Sequence, residues 1–373
     1  MIYFDNAATT KYKPKEVLDA AMGYITEIGV SPGRGSYQLG IEASRLLYKA
    51  RCSVGSYFDV HEKDHVVFTK NSTEAINLFF RGFLHKGDHV VISCYEHNAV
   101  LRPLHRLMLD GFITYDVIAR DDMMLSPSEV FSRYAKPNTR LLVLTLASNL
   151  TGRLVFNESL AAFFKQNGVF TFVDSSQGAG KISLSMTNQH IDYLAFTGHK
   201  DLLALPGVGG LCCNATESIS PLIQGGTGLY GDSYINPDVF PEGLEAGTLN
   251  MPAIMSLKSS IDFIKTNHEL IADKENKLIK YLLDQLMTLP NVILYDSEFS
   301  RVPTCCFNVK GVNSDQVVLK LDSNGICVRG GIHCAILAHN AIGTVQTGAV
   351  RLSLNYNNSF EEIDNLLNCL GDF

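Results

Sequence analysis

The sequence predicts an α/β fold in which a mostly parallel sheet is covered by helices on both faces and is followed by a smaller α+β unit. Three observations carry this. Apolar runs of strand length alternate with helix-like segments through the first two thirds of the chain. Polar, chemistry-bearing residues follow several of those runs. Past a glycine-rich stretch the pattern changes to one long helix, further strands and a final helix.

The strand-like runs are 64–69, 89–93, 140–146, 169–173, 193–196 and 209–213. Between them lie helical patterns such as 72–82, whose Asn71 and Glu74 fit an N-cap with a reciprocating acid three residues on. After the glycines of 225–231 and the segment 242–252, the spacing predicts a helix over 253–289, broken part-way. This divides the chain into a larger α/β domain, 16–251, and a smaller α+β domain made of 1–15 and 252–373.

Composition narrows the function classes. The 373 residues are 46% hydrophobic and 18% charged, ordinary for a folded globular protein. The net charge is −7, and the densest basic set, Lys11, Lys13 and Lys15, is interrupted by Tyr12 and Pro14, which argues against nucleic acid as a partner. Met1 leads into Ile2-Tyr3-Phe4-Asp5 without a basic and then apolar leader, and no apolar run reaches about 18 residues. The expectation is a cytoplasmic protein with no membrane partner. Nine cysteines form no CxxC pair, and the neighbours Cys212-Cys213 and Cys305-Cys306 would point to opposite faces of a strand. No metal is expected.

In open parallel sheets ligands bind beyond the carboxyl ends of the strands. Five junctions there draw attention: Lys70-Asn71-Ser72-Thr73-Glu74, Tyr95-Glu96-His97-Asn98, Ser148-Asn149, Asp174-Ser175-Ser176-Gln177 and Thr197-Gly198-His199-Lys200. Each alone has a structural explanation, such as a capped helix start or a strand-ending turn. Together they supply what pyridoxal 5′-phosphate (PLP) requires. Ser72 and Thr73 offer hydroxyls and free N–H groups for a phosphate. Asp174 offers a carboxylate for a pyridinium nitrogen, Lys200 an amine for an aldehyde, and His97 a ring to stack on the cofactor.

These residues resemble the class V aminotransferase family of PLP enzymes, on its cysteine desulfurase and selenocysteine lyase branch. The resemblance runs from Tyr3-Phe4-Asp5-Asn6-Ala7-Ala8-Thr9-Thr10 through the junctions above to Glu245-Ala246-Gly247-Thr248 and Arg329-x-x-x-His333-Cys334-Ala335. It implies PLP fold type I, aspartate aminotransferase-like, with a seven-stranded sheet in the large domain. It also implies site roles. Ser72, Thr73, Thr197 and His199 would hold the phosphate, and Thr248 would reach it from the partner of a homodimer. Asp174 would pair with the ring nitrogen, Gln177 with the ring hydroxyl and Lys200 with the aldehyde. Arg351, with Asn149 and Arg329, would hold the substrate carboxylate.

Cys334 separates sulfur transfer from plain aminotransfer. It sits in Arg329-Gly330-Gly331-Ile332-His333-Cys334-Ala335, where basic neighbours favour a thiolate, and its place matches the family's persulfide-forming cysteine. Seventeen positions separate it from Arg351, like the branch with a compact cysteine loop. Ile332 stands where many relatives carry a second histidine, and Ala204-Leu205 where relatives often carry Gly-Pro. The expected reaction is L-cysteine to L-alanine, with Lys200 and His97 moving protons, Cys334 taking the sulfur and an acceptor protein receiving it. The rivals are a selenocysteine lyase, another family member in which Cys334 is incidental, and a catalytically silent PLP-binding scaffold.

Overall fold

A computed structural model describes residues 1–373 except Arg34, Thr216 and Asp372. Its strands are β1 (Ile2–Tyr3), β2 (Val66–Thr69), β3 (His89–Ser93), β4 (Thr114–Ile118), β5 (Thr139–Thr145), β6 (Phe170–Asp174), β7 (Tyr193–Thr197), β8 (Gly209–Cys213), β9 (Val292–Leu294), β10 (Thr304–Val309), β11 (Ile326–Cys327) and β12 (Val350–Ser353). The helices are α1 (Lys15–Gly23), α2 (Gln38–Tyr57), α3 (Ser72–Phe83), α4 (Asn98–Leu109), α5 (Pro127–Tyr134), α6 (Glu158–Gln166), α7 (Met251–Leu286), α8 (Ser314–Ser323), α9 (Ile336–Ala341) and α10 (Phe360–Gly371).

Seven strands form the large sheet in the order β2-β8-β7-β6-β5-β3-β4. Neighbours from β7 to β4 run parallel, whereas β8 is antiparallel to both β2 and β7. Side chains alternate between two cores. Leu141, Val143, Phe172, Tyr193 and Ala195 pack with Phe79, Phe80 and Phe83 of α3. Val173, Leu194 and Phe196 face the other way, towards Val54 of α2 and Leu257 and Ile261 of α7. Burial on both faces explains why these strands read as unbroken apolar runs. Strand β4 escaped the sequence reading: it lies at the sheet's edge, and its Thr114-Tyr115-Asp116-Val117 is only partly buried.

Helix α7 runs for 36 residues without the expected break. After Pro252, in its first turn, it contains no glycine or proline to interrupt it. Ile254, Leu257, Ile261 and Ile264 join the core beneath the large sheet, and Leu278, Leu282 and Leu286 join a second core with Phe4, Phe307 and Leu352. The polar middle of the helix bridges the two. A three-stranded antiparallel sheet, β12-β10-β9, lies in that second core, while β1 pairs with β11, bringing the opening residues beside it. Among the described residues no helix is long and apolar enough to cross a membrane.

Candidate active site

The carboxyl ends of β5, β6 and β7 converge with the amino end of α3. Ser72, Thr73, His97, Asn149, Asp174, Gln177, Thr197, His199 and Lys200, all expected from the sequence, line one cavity of about 190 Å³. Asn71, Thr145 and Ser176 line it too. Asn71 and Ser176 lie inside the junction motifs and Thr145 is the last residue of β5, which is the signal that would have found them.

Helix α3 starts where it does because the Asn71 side chain accepts from Glu74 N at 3.0 Å. Glu74 reciprocates one residue earlier than expected, accepting from Lys70 N at 2.6 Å. Helix geometry leaves the N–H groups of the first turn without intrahelical acceptors, so Ser72 and Thr73 present donors to the cavity. Gly209 lets β8 approach this turn: a Cβ there would stand 2.7 Å from Asn71 Cα.

Ser176 Oγ lies 2.5 Å from Asp174 Oδ1 and 2.6 Å from Ser72 Oγ. The carboxylate can only accept, so the Ser176 proton goes to Asp174, and Ser72 must donate to Ser176. Burial pushes the Asp174 pKa up, opposed by the Ser176 bonds and by Lys200. A cation placed beside Asp174 would offset that burial. The Lys200 amine is pushed the opposite way, down, by burial first and then by Arg351, with Asp174 opposing. Among the described residues no hydrogen bond or ion pair engages Lys200 Nζ.

The opening segment clasps this lysine from below. Thr10 Oγ1 donates to Lys200 O (2.7 Å), Lys13 Nζ to His199 O (2.8 Å), and Gln177 Nε2 to Ala7 O (2.8 Å). His199 Nδ1 lies 3.1 Å from Thr9 Oγ1. Behind Lys200, Lys181 is buried between Glu275 of α7 (2.8 Å) and Asp201 (3.5 Å). His97 Nδ1 accepts from Ala99 N at 3.0 Å and so caps α4, which places its proton on Nε2. Burial, aided by Lys200 and Arg351, holds the His97 pKa down to about 3, so the ring is neutral.

A PLP molecule fits what these residues offer. Thr197 Oγ1 and Asn149 Oδ1 are buried polar atoms without partners, and both residues line the cavity. Such atoms cost free energy unless a ligand or water answers them. No group of three or more His, Cys, Asp or Glu among the described residues is arranged to hold a metal ion.

Arg351, Arg329, Cys334 and Thr248 do not line this cavity. Arg351 is fully buried on β12: Nη1 donates to Asn149 O (2.9 Å), Nη2 pairs with Asp5 (2.5 Å), and Nε has no acceptor. Its backbone bridges Arg329. Of the nine cysteines, Cys334 is the exposed one. His333 and Cys334 both adopt left-handed backbone, with φ 54° and 55°. That conformation costs a non-glycine residue roughly 1–2 kcal/mol and must be held by its surroundings. Two carbonyl clamps hold it: Asn149 Nδ2 donates to His333 O and Asn98 N to Cys334 O, each at 2.8 Å. Asn149 and the neighbour of Asn98, His97, are cavity residues, so the cysteine turn is tied directly to the Lys200 site.

Thr248 is exposed and lines a neighbouring cavity of about 570 Å³, whose wall also includes Asn71 and His199. Its segment is anchored by Glu245, buried in a bidentate pair with Arg51 (2.7 and 2.9 Å) and accepting from Phe68 N at 2.6 Å.

The family model for aminotransferase class-V matches residues 2–366. The chain belongs to the class-V aminotransferase family. Among relatives of this class-V chain, the probable cysteine desulfurase of Methanothermobacter thermautotrophicus is 32% identical over 371 residues, covering 97% of this chain and 92% of that protein. The probable cysteine desulfurase of Pyrococcus abyssi is 31% identical over 385 residues, covering 99% and 93%. Among solved structures, the apo cysteine desulfurase of Thermococcus onnurineus superposes with a TM-score of 0.90 at 30% identity, covering all of this chain and 94% of that one.

Proposed function

We propose that this class-V protein is a PLP-dependent cysteine desulfurase that converts L-cysteine to L-alanine and retains the sulfur as a persulfide on Cys334. One observation carries the reading: the turn bearing exposed Cys334 is tied by its carbonyls, through Asn149 and through Asn98 beside His97, to the cavity lined by Lys200. The names of the relatives support the same chemistry.

When bound, PLP supplies an electron sink for charge developing at the substrate Cα. Ser72, Thr73, Thr197 and His199 would hold its phosphate, Asp174 would pair with its ring nitrogen, Gln177 with its ring hydroxyl, and His97 would stack on it. Arg351, assisted by Asn149 and Arg329, binds the substrate carboxylate. Lys200, which would hold the PLP aldehyde in the resting enzyme, would take the Cα proton of the substrate, a role its lowered pKa suits. The Cys334 thiolate attacks the substrate sulfur. The Cβ–S bond breaks, its electron pair stays on carbon, and the sulfur remains on Cys334. The proton given up by the Cys334 thiol reaches Cβ by way of His97, and Lys200 returns its proton to Cα, which completes alanine.

The working unit in this reading is a homodimer in which Thr248 reaches the phosphate held by its partner. The exposed position of Thr248, on a wall shared with Asn71 and His199, supports it. The chain divides at residue 251, acts in the cytoplasm and passes its sulfur to an acceptor protein.

The test is to supply PLP-loaded protein with L-cysteine and a reductant, measuring sulfide and alanine together. Equal yields are expected, lost in both Cys334→Ser and Lys200→Ala. Turnover of selenocysteine alone would replace the reading with a selenocysteine lyase. Full activity of Cys334→Ser would make the cysteine incidental.

A further inference from the structure

Behind the cysteine turn lies a buried polar chain that the reaction as described does not use. His333 Nε2 lies 3.2 Å from Arg329 O, His333 Nδ1 lies 3.5 Å from His339 Nε2, and His339 Nδ1 lies 2.7 Å from Thr344 Oγ1. The two imidazoles are nearly coplanar in orientation, 12° apart, with centroids 5.7 Å from each other. His333, His339 and Thr344 are all buried.

The Arg329 carbonyl sets the proton at the His333 end of this chain, and the backbone of Ile332 and Thr344 also acts on the His339 ring. Arg329 O can only accept, so His333 Nε2 carries hydrogen. In a neutral ring His333 Nδ1 must then be the acceptor, and His339 Nε2 must be its donor. His339 Nδ1 is thereby left as an acceptor, and the Thr344 hydroxyl donates to it. Burial keeps both rings in the neutral form that this pattern needs. The Thr344 hydroxyl answers the acceptor that this pattern leaves on His339, so without it that buried nitrogen would be unpaired in the tautomer that bonds to His333. With the opposite tautomer, two lone pairs would face each other across the 3.5 Å gap.

His333 is the residue immediately before Cys334, and both are held in left-handed backbone. The clamps from Asn149 and Asn98 fix the two carbonyls of the turn. The imidazole of His333 is its third point of attachment, and that attachment depends on α9 and the loop after it. We propose that His339 and Thr344 are positioning residues for Cys334. Acting through His333, they hold the cysteine turn in the one conformation that presents its thiol to the substrate sulfur. The inference rests on the desulfurase reading for its catalytic consequence, but its structural half stands without it.

The test compares Thr344→Val, nearly isosteric and lacking the donor, with Thr344→Ser, which restores it, all as PLP-loaded protein. In Thr344→Val, amide hydrogen exchange in the peptide covering residues 329–335 should quicken at least about fivefold, with residues 170–180 unchanged. The kcat for sulfide release from L-cysteine should fall about tenfold, while KM and the cofactor's absorbance response to L-cysteine stay as in the native protein. Thr344→Ser should recover both to within about twofold. Unchanged exchange in Thr344→Val would overturn the proposal whatever the enzyme's substrate. Faster exchange with undiminished sulfide release would overturn the catalytic role. Loss of the absorbance response together with kcat would assign Thr344 to general stability instead. Failure of the desulfurase reading is distinguished by the native protein releasing no sulfide, with the exchange result still deciding the positioning claim.

Discussion

The Lys200 cavity and the Cys334 turn lie side by side, yet they are held by different means. Most walls of the cavity are the ends of buried strands and the capped start of α3, so its geometry is inherited from the sheet. The cysteine turn is a loop, bonded through Arg329 and Gly331 to Arg351 of β12 and the adjoining Ala349. It depends on two carbonyl clamps and one imidazole, and it keeps two consecutive residues in a disfavoured backbone region. The first arrangement resists local change because many ladder bonds would have to shift together. The second rests on fewer bonds, each made by a single side chain or backbone group. Under the proposed function, Lys200 would benefit from the former in meeting a fixed ring, and Cys334 from the latter in approaching a substrate and passing on its sulfur.

Breaking the cavity without touching the turn should have the largest effect. Asp174→Asn removes the carboxylate proposed to pair with the ring nitrogen, and kcat should fall by roughly 100-fold or more with hydrogen exchange in 329–335 unaltered. A loosened turn in this variant would show that the two regions are not separable. Arg351→Lys probes the residue between them. Lysine cannot reproduce the fork that serves Asn149 O and Asp5 while binding a carboxylate, so KM for L-cysteine should rise about tenfold with a smaller change in kcat.

Glu96 sharpens the comparison through pH. It is wholly buried at the end of β3, accepting from Ser93 Oγ and Thr145 N, with its second oxygen unpartnered. Burial pushes its pKa from 4.5 up to about 8. The folded state therefore binds the extra proton between those values, and stability declines as pH rises through that window, by at most about 1.4 kcal/mol per pH unit. Glu96→Gln should flatten the fall in Tm between pH 6 and pH 8. An unchanged slope would mean that Glu96 is ionised in the fold. The smallest effect is expected at the cap of α4: His97→Ala should cost about 1 kcal/mol of stability, measured by denaturant unfolding with cofactor removed.

Much of the site was legible because its residues sit at positions that periodicity reveals. An apolar run buried on both faces announces a strand, and the first polar residues beyond it fall at the ligand-binding edge, as Asp174, Thr197 and Asn149 do. Periodicity is weaker where burial is partial. Edge strand β4 was invisible for that reason, and the polar middle of α7 imitated a break because the helix changes cores there. Strand direction was hidden as well: nothing local distinguishes the antiparallel β8 from its parallel neighbours.

By itself, then, the sequence determined the α/β class, the strand-end chemistry and the family, since each depends on residue type and spacing along a short stretch. Only the tertiary structure decided who bonds to whom. Arg351 shares its guanidinium between Asp5 and the carbonyl of Asn149, and His339 stands between His333 and Thr344 behind Cys334. Hydrogen bonds between distant segments follow from how the elements pack, because direction and distance to a partner are properties of the assembled chain and leave no periodic trace in it.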